Sequence, residues 1–162
     1  MARVFNLNGD GDGDGDDEWD RSEERPGWRS KDAWVGQRIG GELIGASMYE
    51  LEPGNRLWPY HTHHANEEWL VVVRGRPTLR TAAGEQNLDK GDVVAFPRGD
   101  RGLHQVINHT DAPIRVLMLS TLITPEIVEY PDSGKVGTRG ASGERLFLGR
   151  LGEVLEYWEG ED

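Results

Sequence analysis

The residues able to do chemistry gather in Tyr60–Gly75, which reads YHTHHANEEWLVVVRG. Three of the five histidines and two adjacent acids stand there, just before the apolar run Trp69–Val73. Successive side chains on a β-strand point to opposite faces, so His61 and His63 share a side, roughly 6.6 Å apart along the backbone. Imidazole nitrogens bind a metal at about 2.0–2.1 Å, so two rings leaning together from those positions can share one ion. Glu68, past a short polar bend, could add an oxygen, and His104, far along the chain, a third nitrogen. The chemistry suggested is a divalent-metal site. Such a site needs strands that turn these side chains inward, hence a small β-barrel.

The pattern of the chain supports short strands. Glu42–Glu52 ends at the turn signal Pro53-Gly54, and Arg56–His63 follows with two histidines at its end. Trp69–Arg74 is closed by Gly75, and Arg76–Ala83 alternates up to a hairpin tip at Ala83-Gly84-Glu85. Val93–Phe96, His104–Asn108 and Ile114–Leu122 complete the set, separated by Gly/Pro turns. Seven or eight such strands without a long helical pattern between them predict an all-β barrel or sandwich. Four segments are expected: a flexible acidic stretch over 1–25, an arm over 26–41, the barrel over 42–122 and a C-terminal appendage over 123–162. Within the appendage, EYPDSGKV (Glu129–Val136) reads as polar and turn-rich. The apolar spacing of Leu148, Leu151, Val154, Leu155 and Trp158 allows a short amphipathic helix, weakened by Gly149 and Gly152.

At 162 residues the chain suits one domain with a single core. It contains no cysteine, which excludes disulfides and thiolate metal sites and leaves imidazole and carboxylate as donors. The formal charge of −11 argues against nucleic acid and anionic membrane surfaces as partners. Over half of it lies in residues 1–25, where nine acids face three bases. The run Asn8–Asp20, NGDGDGDGDDEWD, resembles an EF-hand loop only in part. With Asp10, Asp12 and Asp14 as the first ligands, Arg21 falls where a bidentate glutamate belongs. A solvated segment is the better reading. No run is long and apolar enough to span a bilayer, and the N-terminus lacks the apolar core of a signal peptide, so a cytoplasmic location is expected. A Gly-x-Ser-x-Gly elbow and a phosphate-binding glycine loop are both absent, and Gly149-Arg150-Leu151-Gly152 lacks the third glycine of a dinucleotide fingerprint.

Two ordered motifs resemble those of the cupin superfamily. The first pairs His61-Thr62-His63 with Glu68 after four residues and Gly75 after six more. The second runs from Gly91 through five residues to Pro97, then Gly99, His104 and Asn108. Arg76–Lys90 forms a fifteen-residue linker, the compact length of small single-domain microbial cupins. Two spacings depart from the family: six residues rather than five separate Gly54 from His61, and four rather than two separate Gly99 from His104. Both intervals are read as loops, where insertions are tolerated. The resemblance covers roughly residues 42–122 and implies a double-stranded β-helix, or jelly roll. It implies that His61, His63, Glu68 and His104 hold one divalent transition metal (manganese, iron, nickel or zinc) with positions open for substrate. The spacing to Gly75 favours Glu68 over its neighbour Glu67, which is left as a rim group. His64 and His109 have the wrong strand parity and are read as surface, and Asn108 as bonding backbone or water.

The resemblance names no single reaction, because this fold hosts many. The first reading is a metal-dependent, isomerase-like enzyme using Lewis-acid chemistry on a small polar, carboxylate or sugar-type substrate. Small cupins with an EYPDSGKV-like segment are commonly labelled sugar-phosphate isomerases on fold analogy. The alternatives are an iron-dependent dioxygenase and a non-catalytic module binding metal or a small ligand. Arg98 and Arg101 are candidate anion contacts, with a solvated loop charge the favoured reading for each. A homodimer is what the resemblance implies.

Overall fold

Period-two alternation of apolar side chains runs through the middle of the chain and sets which face of each strand is inside. The computed structural model describes residues 2–9, 19–152 and 154–161. The segment compared with an EF-hand lies for the most part outside the described residues.

Six strands form one antiparallel sheet: β1 (Arg21–Glu23), β2 (Ser30–Ala33), β3 (Ile44–Leu51), β10 (Ile114–Thr121), β5 (Glu68–Arg74) and β8 (Val93–Phe96), in that spatial order. Seven form the facing sheet: β13 (Arg145–Arg150), β12 (Lys135–Arg139), β11 (Glu126–Tyr130), β4 (Arg56–His63), β9 (His104–Ile107), β6 (Thr78–Thr81) and β7 (Gly84–Asn87). This is the double-sheet jelly roll expected from the sequence. A five-residue helix, α1 (Val35–Ile39), links β2 to β3.

Between the sheets Leu51, Leu57, Leu70, Val72, Leu79, Val106, Ile114 and Val116 form the buried core, with Leu88 and Phe96. Glu68 shares the parity of Leu70 and Val72 on β5, and His104 that of Val106 on β9. The polar side chains therefore enter the same interior as the apolar ones. A second, smaller cluster joins Ala33, Val35 and Met48 to Phe5, Leu7 and Trp19, so residues near the N-terminus pack against the six-stranded sheet.

Two local readings are corrected. The helix allowed over Leu146–Trp158 is not formed: Arg145–Arg150 is strand β13, paired with β12. Of the spaced apolar residues only Leu148 lies on that edge strand, where Leu146, Phe147 and Leu148 all remain exposed. The interval from Gly54 to His61 also offers no loop for its added residue. Arg56–His63 is strand throughout, with a register shift against β9 between Leu57 and His61.

Gly75 illustrates how tightly the barrel closes. Its φ is +80°, and a Cβ there would fall 2.7 Å from Cγ2 of Ile114. Gly75→Ala is expected to cost about 2 kcal/mol in urea unfolding, from the left-handed backbone and the overlap together. A loss below a few tenths would contradict this packing.

Candidate metal centre

His61 and His104 are direct cross-strand partners on β4 and β9, so both rings leave the seven-stranded sheet side by side. Their centroids are 4.5 Å apart, and those of His61 and His63 5.1 Å. Glu68 approaches from the first residue of β5 on the opposite sheet. The sequence places these four residues up to 43 positions apart; the two sheets bring them together.

Glu68 Oε2 is the focus. It lies 3.9 Å from His61 Nε2, 3.4 Å from His63 Nε2 and 3.5 Å from His104 Nε2. It is buried and accepts no hydrogen bond from any described residue. His61, Glu68 and His104 offer donor atoms that all lie within 4.8 Å of one another. His63 stands outside that triplet and shares Glu68 from the side.

Backbone carbonyls fix which nitrogen faces Glu68. His61 Nδ1 donates to Pro59 O and His104 Nδ1 to Gly102 O, each at 2.8 Å. With Nδ1 carrying the hydrogen, each Nε2 presents a lone pair to the centre. Gly102 is held to glycine because a Cβ would overlap the Pro97 carbonyl. Phe96 stacks on His104 with centroids 3.8 Å apart and planes 3° from parallel, which locks the ring. On β4, Trp58 has φ +52°, inside the irregular interval, and Gln105 Nε2 donates to Trp58 O at 2.7 Å. The bulge turns the strand so that His61 faces inward.

Burial pushes the His61 proton affinity down, to about 3, with the neighbouring His104 and His63 adding to the effect. Burial likewise lowers His104, to about 4, against the opposing Gly102 bond. Both rings are therefore neutral at physiological pH, as metal ligands must be. Burial also raises Glu68, opposed by the charge of His63. His63 differs: burial lowers it, but the Glu126 bond and the Glu68 charge win and raise it.

Glu126 was not found by reading the sequence. Its Oε2 lies 3.3 Å from His63 Nδ1, and Oε1 accepts from the backbone N–H of His64, Ala65 and Ile127 at 2.8–3.2 Å. Asn66 Nδ2 donates to Oε2. Burial alone would raise this carboxyl, but His63, Ala65 and Asn66 hold it down to about 2. A permanently ionised Glu126 thus orients His63 from behind, the carboxylate–histidine arrangement common at metal sites. The available signal was the alternation of Glu126, Val128 and Tyr130, which places all three on one face; Val128 is the cross-strand partner of His63. Tyr130 stacks on His61 at 6.1 Å. Burial raises its hydroxyl pKa, against the charges of Arg139 and Arg145.

The remaining candidates fall outside the centre. His64 is exposed and pairs with Glu129 at 2.8 Å, and exposed His109 lies 3.7 Å from Glu85. Glu67 is exposed and accepts from the Trp69 indole. Asn108 Nδ2 donates to Leu51 O and Ala112 O. Arg98 and Arg101 are exposed. A cavity of about 40 Å³ beside the centre is walled by Tyr49, Leu57, Val106 and Met118. A groove of about 750 Å³ includes none of the four donors, and Arg80 in its lining is already paired bidentately with Asp132.

The sequence profile of the Cupin domain family matches residues 47–120. A solved structure from Silicibacter pomeroyi, described as a sugar phosphate isomerase from a cupin superfamily, is 31% identical, with a TM-score of 0.71 over 79% of this chain and 81% of that one. The chain belongs to the cupin superfamily. A second cupin neighbour, from Acidithiobacillus ferrooxidans and provisionally named a sugar phosphate isomerase, is 26% identical with a TM-score of 0.72, covering 81% of this chain and 84% of that one. An auxin-binding protein of Prunus persica, ABP19b, is 34% identical over 80 residues, which are 46% of this cupin and 37% of that protein. This cupin therefore spans well under half of that curated relative.

Two outcomes follow from the centre's electrostatics. Glu126→Gln is expected to weaken zinc or manganese binding by about tenfold or more in chelator competition; unchanged affinity would show that Glu126 only braces the backbone. For metal-free protein, the folded pKa values of His61 and His104 lie below those of the unfolded chain. Their stabilising effect is complete above about pH 6.5 and is lost on acidification toward pH 4, at about 1 kcal/mol per pH unit for each ring. Urea midpoints between pH 7 and 5 should fall accordingly, and flatten in His61→Gln/His104→Gln.

Proposed function

We propose that this cupin is a metal-dependent enzyme acting on a small polar, carboxylate-bearing or sugar-type substrate, with isomerase-like chemistry. One observation carries the reading. A buried carboxylate oxygen without a hydrogen-bond partner faces three imidazole nitrogens at 3.4–3.9 Å. Donors bound to one ion at about 2.0–2.2 Å lie roughly 3–3.5 Å apart, so this set is close to the spacing a divalent cation requires. His61, His63, Glu68 and His104 would hold it, as three nitrogens and one oxygen suited to manganese, iron, nickel or zinc. A metal held there supplies Lewis acidity toward a substrate carbonyl or hydroxyl.

The chain's own residues complete the setting. Carbonyls of Pro59 and Gly102 keep the two neutral rings in the tautomer that faces the centre. Leu57, Val106 and Met118 limit water on the inner side. Tyr130, raised in pKa and adjacent to His61, keeps its proton at neutral pH and can donate it to a substrate oxygen. The sugar phosphate isomerase names of two cupin neighbours agree with this class of chemistry. The reading includes a cytoplasmic homodimer.

Elemental analysis tests the metal: about one divalent ion per chain is expected, lost in His61→Ala/His104→Ala while circular dichroism keeps the β signature. A redox-silent metal with aldose–ketose turnover supports the isomerase reading. Substrate-dependent oxygen uptake with bound iron would replace it by the dioxygenase, and stoichiometric metal without turnover across a broad panel by a binding module.

A further inference from the structure

A recess of about 110 Å³ among β11, β12 and β13 adjoins the centre at His61 and His63 and is lined also by Tyr130, Arg139 and Arg145. Arg139 and Arg145 are direct partners across β12 and β13. Arg139 is also the cross-strand partner of Glu126, whose carboxylate reaches His63, so Arg139 leaves its strand on the face toward the centre. A register shift between Thr138 and Arg139 brings the two arginines opposite each other.

Like charges directly opposite on a sheet are destabilising. Among the described residues no carboxylate forms an ion pair with either guanidinium, and Arg139 Nη1 donates only to Gly143 O at 3.2 Å. Glu144, adjacent in sequence to Arg145, accepts from Ser142 instead. Glu126 is engaged by His63, Asn66 and three backbone N–H groups. Two guanidinium forks without a carboxylate ion-pair partner among the described residues therefore line a recess that also contains His61 and His63. Planar guanidinium matches the oxygens of carboxylate or phosphate in paired hydrogen bonds.

We propose that Arg139 and Arg145 form a clamp for an oxyanion, carboxylate or phosphate, at one end of the substrate whose other end reaches His61 and His63. What happens to that substrate rests on the metal-enzyme reading above; capture of the anion does not. The clamp makes the preferred substrate anionic, with its charged group on the β12–β13 side of the reacting centre.

Calorimetric titration of the full chain at low ionic strength, with and without one equivalent of manganese, tests this using inorganic phosphate and malonate as separate probes. Saturable binding of at least one probe is expected, and which one binds distinguishes a phosphate from a carboxylate substrate. Arg139→Gln/Arg145→Gln should raise that Kd at least about tenfold. Manganese stoichiometry should stay at the wild-type value, and Arg98→Gln/Arg101→Gln should bind the anion as wild type does. Should the double variant fail to fold, Arg145→Gln alone, on the exposed edge strand, is expected to raise Kd by about threefold or more. Wild-type-like anion affinity in the folded arginine variants, or no binding of either probe by wild type, overturns the clamp. Anion capture by a protein that takes up no manganese leaves the clamp standing and removes the metal reading.

Discussion

A single oxygen governs the interior of this barrel. Glu68 Oε2 is out of contact with solvent and has no hydrogen-bond donor among the described residues. An ionised group in that position is costly unless a positive charge faces it. The strand that places it there is otherwise a core strand, with Leu70 and Val72 on the same face. The opposite sheet answers with His61 and His104, whose Nδ1 hydrogens are committed to carbonyls so that only lone pairs meet the carboxylate. His63, raised in pKa by Glu126 and Glu68, brings positive charge to the same oxygen from the side. Two acceptors and one charged ring therefore share it, a set that a bound cation would satisfy more fully.

The barrel proper does not complete the setting. The family match ends at residue 120, yet Glu126, Tyr130, Arg139 and Arg145 all come later. They lie on β11–β13, an antiparallel ribbon added to the edge of β4 through Val128–His63 and Glu129–Thr62. The ribbon extends the sheet that carries the histidines, so it supplies both the acid behind His63 and the wall of the outer recess. Variation in such a ribbon can alter what enters without disturbing the donors beneath it.

Much of this was legible beforehand, for a physical reason. Strand parity and turn residues are local, so the sequence placed the strand Arg56–His63, the inward pairing of His61 with His63, and the surface positions of His64 and His109. Glu67 is exposed and Glu68 turns inward. Glu126 escaped because its role depends on pairing between segments more than 60 residues apart; its alternation with Val128 and Tyr130 sets its face but not its partner. The tail was misread because Leu148, Leu151, Val154, Leu155 and Trp158 all stay exposed, so no buried face rewards a helix there. Arg145–Arg150 pairs with β12 instead.

The irregular interval in β4 has its own implication. From Leu57 to His61 the strand advances four residues while β9 advances two, from Val106 to His104. β4 thus carries two residues more than β9 across this interval, and His61 still stands opposite His104. The one residue by which Gly54–His61 exceeds the family spacing is taken up inside the strand, so the histidine pairing survives a change of length that a loop would otherwise absorb.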